Sequence, residues 1–125
     1  MANYIDAFVL PVPGEHLDEY KSVAGAVAAI WREHGALQYF EFVGDDLALE
    51  GTRPFPDFAN AKEGEVIVFG WVVFDSKESR DRANELVAAD PRMADLVGPL
   101  THASRLIFDA SRMAFGGFRP LVVSG

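Results

Sequence analysis

Residues 65–75, EVIVFGWVVFD, are the most strand-like run in the chain. Val66, Ile67, Val68, Phe69, Trp71, Val72, Val73 and Phe74 are β-branched or aromatic and fall on both alternating faces, which suits a strand covered on both sides. This run is expected at the centre of a sheet. Residues 3–12, NYIDAFVLPV, have the same character, with Ile5, Ala7 and Val9 on one face and Tyr4, Phe8 and Leu10 on the other. Pro11 and the pair Pro13-Gly14 close that strand, and Asp6 is its polar exception.

Between these strands, Leu17, Tyr20, Ala24, Val27 and Trp31 step by three and four, widened by Val23 and Ile30, which marks an amphipathic helix over about 16–34. Gly35 stands where a left-handed C-terminal cap is needed. A second strand is expected at 36–44, followed by a long connection over 45–64. After the 65–75 strand, Ser76 can cap a helix reaching about Ala89. Asp90-Pro91 then reads as the N-cap and first-turn proline of a short helix that Gly98-Pro99 ends. The chain closes on RMAFGGFRPLVV at 112–123, a β-rich run with Gly116, Gly117 and Pro120 in it. Proline is confined to sheet edges, so this fourth strand belongs at an edge, and the glycine pair reads as a bend.

The order βαββαβ, with two long helices, predicts an α+β, ferredoxin-like antiparallel sheet with both helices on one face, in a single domain spanning 1–125. The first and third strands would be central. Their other face is also apolar, and an uncovered face of that kind would aggregate. A two-fold partner supplying a second sheet is the economical cover, so a homodimer closing a dimeric α/β barrel is expected.

The chain has 125 residues, half of them hydrophobic, enough for one real core. Its formal charge of -8 and lack of a basic stripe argue against nucleic acid as a partner. No apolar run approaches the roughly 18 residues of a membrane span. The absence of cysteine removes disulfides and thiolate metal sites, and MANYIDAFVL lacks a signal-peptide pattern, so cytoplasmic residence is expected.

Five stretches carry a family resemblance: YIDAFVLPVP at 4–13, WREHGALQY at 31–39, VIVFGW at 66–71, ADPRM at 89–93 and FDASRMAFGGF at 108–118. Together they resemble the YbaA-like family of uncharacterised bacterial proteins over nearly the whole chain; the stretch PLTHASRLI at 99–107 departs from its pattern. The resemblance implies the dimeric α/β-barrel superfamily, which includes cofactor-free monooxygenases of the antibiotic-biosynthesis type. It implies a fold, and fold alone does not fix chemistry.

Asp6, in a strand expected to be covered on both faces, must find donors or take up a proton. Arg112 is its expected partner from the neighbouring fourth strand, with Asp109 competing for Arg112. The pair reads either as an anchor for an oxygen-bearing ligand or as a structural salt bridge. His34 reads as a general base facing the sheet, or as a helix-terminal histidine satisfying free carbonyls. Asp6, His34 and Arg112 are thus the candidate catalytic residues. Trp31 and Trp71, with the hydroxyls of Tyr4 and Tyr39, are candidates to line a slot for a flat apolar molecule. His16, His34 and His102 are scattered, so no metal site is expected; no P-loop, dinucleotide fingerprint or G-x-S-x-G elbow is present, so no nucleotide cofactor is expected either. The 45–64 connection, with Phe55 and Phe58, reads equally as a lid or as a dimer-embracing arm.

The functional expectation is a dimeric barrel that binds a small hydrophobic metabolite without a tightly bound cofactor, with oxidation or isomerisation as candidate chemistries. The alternative is a non-catalytic binding or stress-associated module whose polar residues serve folding and dimerisation.

Overall fold

In the computed structural model, which describes residues 3–125, the 65–75 run forms strand β3 (Glu65–Phe74) inside a four-stranded sheet. The first two positions of the expected 1–125 domain, and of the N-terminal segment read for a signal peptide, lie outside the described residues. β1 (Tyr4–Pro13) pairs antiparallel with β3 along its whole length, from Tyr4 opposite Phe74 to Pro13 opposite Glu65. β2 (Gln38–Val43) lies on β3 and β4 (Ala114–Phe118) on β1, both antiparallel, giving the order β2-β3-β1-β4. The first and third strands are therefore central, as their two apolar faces require.

The helices are α1 (Leu17–Glu33), the short α2 (Phe55–Phe58), α3 (Lys77–Ala88) and α4 (Pro91–Val97). Phe8, Leu10 and Val12 of β1 and Val68, Val72 and Phe74 of β3 point to the side where Tyr20 of α1 and Ala83 of α3 complete the core with Leu100 and Ile107. Each large apolar side chain buried there contributes about 1.5–3 kcal/mol. Local chemistry sets the helix ends. Ser76 accepts the Ser79 N–H at 3.1 Å, Asp90 accepts the Arg92 N–H at 3.0 Å, and Pro91 opens α4. At the end of α1, Gly35 takes φ +116°, and the Ala36 N–H donates to the Trp31 carbonyl at 3.0 Å, a Schellman closure.

The terminal strand is shorter than the sequence suggests. Arg112 ends a 3-10 turn (Ala110–Arg112) before β4, and Pro120 lies beyond it, so the edge position stands without the proline. The glycine pair is no bend, because β4 runs in unbroken register from Val9 opposite Ala114 to Ile5 opposite Phe118. Instead, a Cβ at Gly117 would collide with the Arg80 guanidinium and the Tyr4 phenol, which lie across the strand.

On the face away from α1, α3 and α4, β3 presents Ile67, Phe69, Trp71 and Val73, while β2 presents Phe40 and Phe42. The 45–64 connection folds over part of this face: Phe55 packs edge-on against Phe69 with ring centroids 6.0 Å apart. That location is on the wrong side of the sheet for a lid over a helix-side pocket.

Gly70 is the one small residue within the β3 run, and a Cβ there would strike the Phe8 ring and approach the Phe40 carbonyl oxygen to 2.7 Å. Gly70→Ala is expected to lower stability in urea titration by about 1–3 kcal/mol, the usual cost of overpacking. Gly116→Ala, whose Cβ would meet nothing nearer than Phe118 at 3.8 Å, is expected to change stability by less than about 0.5 kcal/mol.

Candidate functional site

The alternation of β2 turns Tyr39, Glu41 and Val43 toward the helices, with Tyr39 opposite Val72 and Glu41 opposite Gly70. A carboxylate is thereby placed under α1. Two hydroxyls hold it: Tyr20 of α1 donates to Glu41 Oε1 at 2.5 Å, and Tyr39 donates to Glu41 Oε2 at 2.7 Å. Burial, reinforced by the neighbouring carboxylate, pushes both phenols far above their ordinary pKa, so they stay protonated and act as donors.

Two cavities meet at this triad. The larger, about 480 Å3, runs between α1 and β2 past Leu17, Ala24, Gly25 and Val68, with Asp18 and Lys21 also on its wall. The smaller, about 250 Å3, lies between α1, the sheet and α4, against Phe8, Trp31, Met93, Phe108, Met113 and Phe115. Tyr20, Ala24, Tyr39 and Glu41 line both. Apolar walls converging on a few fixed polar atoms are the usual form of a small-molecule site.

Of the residues expected to form a slot, Trp31 and Tyr39 line the smaller cavity. Trp71 does not join them. It lies on the opposite face of the sheet, stacked on Phe42 at 5.3 Å and against Phe40 at 5.2 Å, so the two tryptophans cannot flank one ligand. Tyr4 lies instead under the Arg80 guanidinium, 5.2 Å from ring centroid to Cζ.

Asp6 is fully buried, but its partner is Arg80 of α3, whose Nε donates to Oδ1 at 2.8 Å; it is not Arg112. Burial raises the Asp6 carboxyl above its ordinary range and outweighs the opposing pull of Arg80. Its Oδ2 has no hydrogen-bond partner among the described residues. Arg112 instead grips Glu65 through Nη1 at 2.6 Å and Nη2 at 2.8 Å, and reaches the Asn60 carbonyl at 3.1 Å. That guanidinium holds the Glu65 carboxyl below its usual range. Asp109, the expected competitor for Arg112, bonds Ser111 through its Oδ1.

His34 turns from the sheet to Asp90, with Nε2 and Oδ2 2.9 Å apart, and so ties the end of α1 to the cap of α4. Arg92 first and His34 second hold the Asp90 carboxyl well below the ordinary range. Asp6, His34 and Arg112 therefore sit in three separate intrachain pairs and do not converge.

Glu41 and Tyr20 are the site residues that sequence reasoning passed over. Tyr20 was absorbed in the apolar stripe of α1, and Glu41 in an edge strand where a charge excites no notice. The available signal was the alternation Tyr39, Glu41, Val43, which places an acid on the same strand face as a tyrosine and a valine.

The sequence matches the DUF1428 family, described as protein of unknown function, over residues 3–109. The uncharacterized protein YbaA of Escherichia coli K12 is 34% identical over 119 residues, covering 95% of this chain and 97% of that one, and YbaA of Shigella flexneri matches to the same extent. Among solved structures, a NIPSNAP family protein of unknown function from Agrobacterium tumefaciens superposes with a TM-score of 0.58 at 14% identity, covering 98% of this chain and 91% of the other. An uncharacterized NIPSNAP-like domain protein from Burkholderia xenovorans gives 0.55 at 14% identity, covering 98% and 89%. Likeness at that identity speaks for the fold alone. By the family match over most of its length and its identity to YbaA, the chain belongs to the DUF1428 family of proteins of unknown function.

Proposed function

We propose that this protein is a cytoplasmic homodimer of ferredoxin-like protomers, closing a dimeric α/β barrel, and that each protomer binds a small hydrophobic molecule between α1 and the sheet. The observation that carries the binding site is the meeting of two apolar-walled cavities at one carboxylate pinned by two tyrosine hydroxyls. Glu41 is the group placed to take a proton from a bound molecule, so isomerisation by proton relocation is the chemistry this site favours. The geometry supports binding first.

The dimer rests on the face opposite α1 and α3. Phe42 is 57% exposed and Phe118 55%, and with Phe69 and Trp71 they form an aromatic surface that α2 covers in part. Such a surface is a strong candidate for an interface. No helix among the described residues is long and apolar enough to cross a membrane.

A non-catalytic role for the three polar residues first singled out has its own support. Asp6, His34 and Arg112 each spend their hydrogen bonds inside the chain, on Arg80, Asp90 and Glu65. In this reading they fasten the fold while Tyr20, Tyr39 and Glu41 meet the ligand.

Two experiments test the proposal. In sedimentation velocity at micromolar concentration, the wild type is expected at the mass of two chains, and Trp71→Glu at the mass of one; a wild type running as one chain overturns the dimer. In titration with the neutral apolar dye Nile red, the wild type is expected to bind. Ala24→Leu, which fills space shared by both cavities, is expected to weaken binding at least tenfold while keeping the circular dichroism of the folded protein. Equal dye binding by both proteins overturns the pocket assignment.

A further inference from the structure

The chemistry of the triad restricts what can sit against it. A carboxylate offers about four lone-pair directions, and Glu41 gives one on each oxygen to a tyrosine. Each tyrosine has only one O–H, and both are directed to Glu41, so the phenol oxygens are left with lone pairs only. The polar centre of the site is therefore all acceptor: a carboxylate with free lone pairs, flanked by two oxygens with no proton to offer. A ligand carboxylate or phosphate would meet repulsion and find no donor there.

The smaller cavity adds a second, independent feature. Its walls carry Phe8, Trp31, Phe108 and Phe115, together with the two tyrosine rings, and Glu41 is its one ionisable carboxylate. Aromatic faces attract cations through the ring quadrupole, most strongly where water is excluded. The charged groups on the larger cavity, Asp18 and Lys21, are one acid and one base, so they leave no net preference at that end. The net charge of -8 draws cations toward the protein as a whole.

We infer that the ligand is an organic amine, bound as its ammonium ion: the N–H groups donate to Glu41 and the tyrosine oxygens, and the apolar body lies among the aromatic walls of the smaller cavity. This inference rests on the pocket proposed above and narrows it to one chemical class. It also gives the tyrosines a purpose beyond packing. By donating to Glu41 they hold its two oxygens in fixed directions, so that an ammonium is met by preset acceptors.

The test is a series with one apolar body and three head groups: 2-phenylethylamine, 2-phenylethanol and 3-phenylpropionate, each titrated by calorimetry into the wild-type protein and Glu41→Gln. The amine is expected to bind at least tenfold more tightly than the alcohol, with the acid weakest. Glu41→Gln is expected to lose that preference, so that amine and alcohol become equal within about threefold. Tyr20→Phe and Tyr39→Phe serve where Glu41→Gln fails to fold; each is expected to reduce the preference for the amine without reversing it. If the alcohol or the acid binds as tightly as the amine, or no member of the series binds while Nile red does, the amine assignment is overturned and the pocket stands. If neither the series nor the dye binds, the pocket reading itself falls.

Discussion

A sheet that is apolar on both faces, in a chain whose long helices cover only one of them, is the constraint on which the structure turns. β1 and β3 each place large apolar side chains alternately up and down, so neither face can be left to water without cost. On the helix side α1 and α3 bury Phe8, Leu10, Val12, Val68, Val72 and Phe74. On the other side the 45–64 connection covers part of the sheet. It sends Phe55 onto Phe69 and leaves Phe42 and Phe118 more than half exposed. The remaining apolar area explains why association is built into the proposed function.

Ion pairs fasten the elements that this burial brings together. Arg112 holds Glu65 and the Asn60 carbonyl, and so pins the return of the long connection to the segment entering β4. His34 and Asp90 join the end of α1 to the start of α4, while Arg92 links Asp90 to Glu33. Arg80 descends from the first turns of α3 to Asp6 on β1, passing over the strand position kept clear by Gly117. The pair at Asp6 is the costly one, because burying a carboxylate with one oxygen unpartnered is unfavourable unless its charge is met at close range. Removing Arg80 would leave that charge without compensation.

Much of this frame was legible in the residues. The two central strands announced themselves by apolar character on both faces, and Ser76, Asp90-Pro91 and Gly35 marked helix ends because capping depends on side chains within three or four positions. The partner of Asp6 was not legible, because it depends on register. Antiparallel pairing sets Gly117 opposite Asp6, whereas Arg112 ends the 3-10 turn before β4, outside the paired residues, and reaches Glu65 and the Asn60 carbonyl. The nearest guanidinium comes instead from a helix 74 positions on in sequence. The same limit hid the reversal of Trp71 relative to Trp31: on a strand, one position decides which side of the sheet a ring occupies.

Gly70 joins the fold to the site. It lies in the middle of the β3 run, flanked on the helix side by Phe8 from β1 and Glu41 from β2. Because Gly70 has no side chain, the Phe8 ring can lean across β3 until it stands 6.3 Å from Tyr39 and stacks 6.0 Å from Phe115 on its other side. The space over Gly70 is filled by that displaced ring, which forms part of the wall of the smaller cavity together with Tyr20, Tyr39 and Glu41. A β-branched residue, the best strand former for that position, would drive into the Phe8 ring and the Phe40 carbonyl oxygen. The chain thus gives up strand propensity at one point of its central strand, at a cost of about 0.5–1 kcal/mol relative to alanine. What it gains is room for the Phe8 ring, which closes the space over β3 and presents its aromatic face to the smaller cavity beside Tyr39 and Glu41.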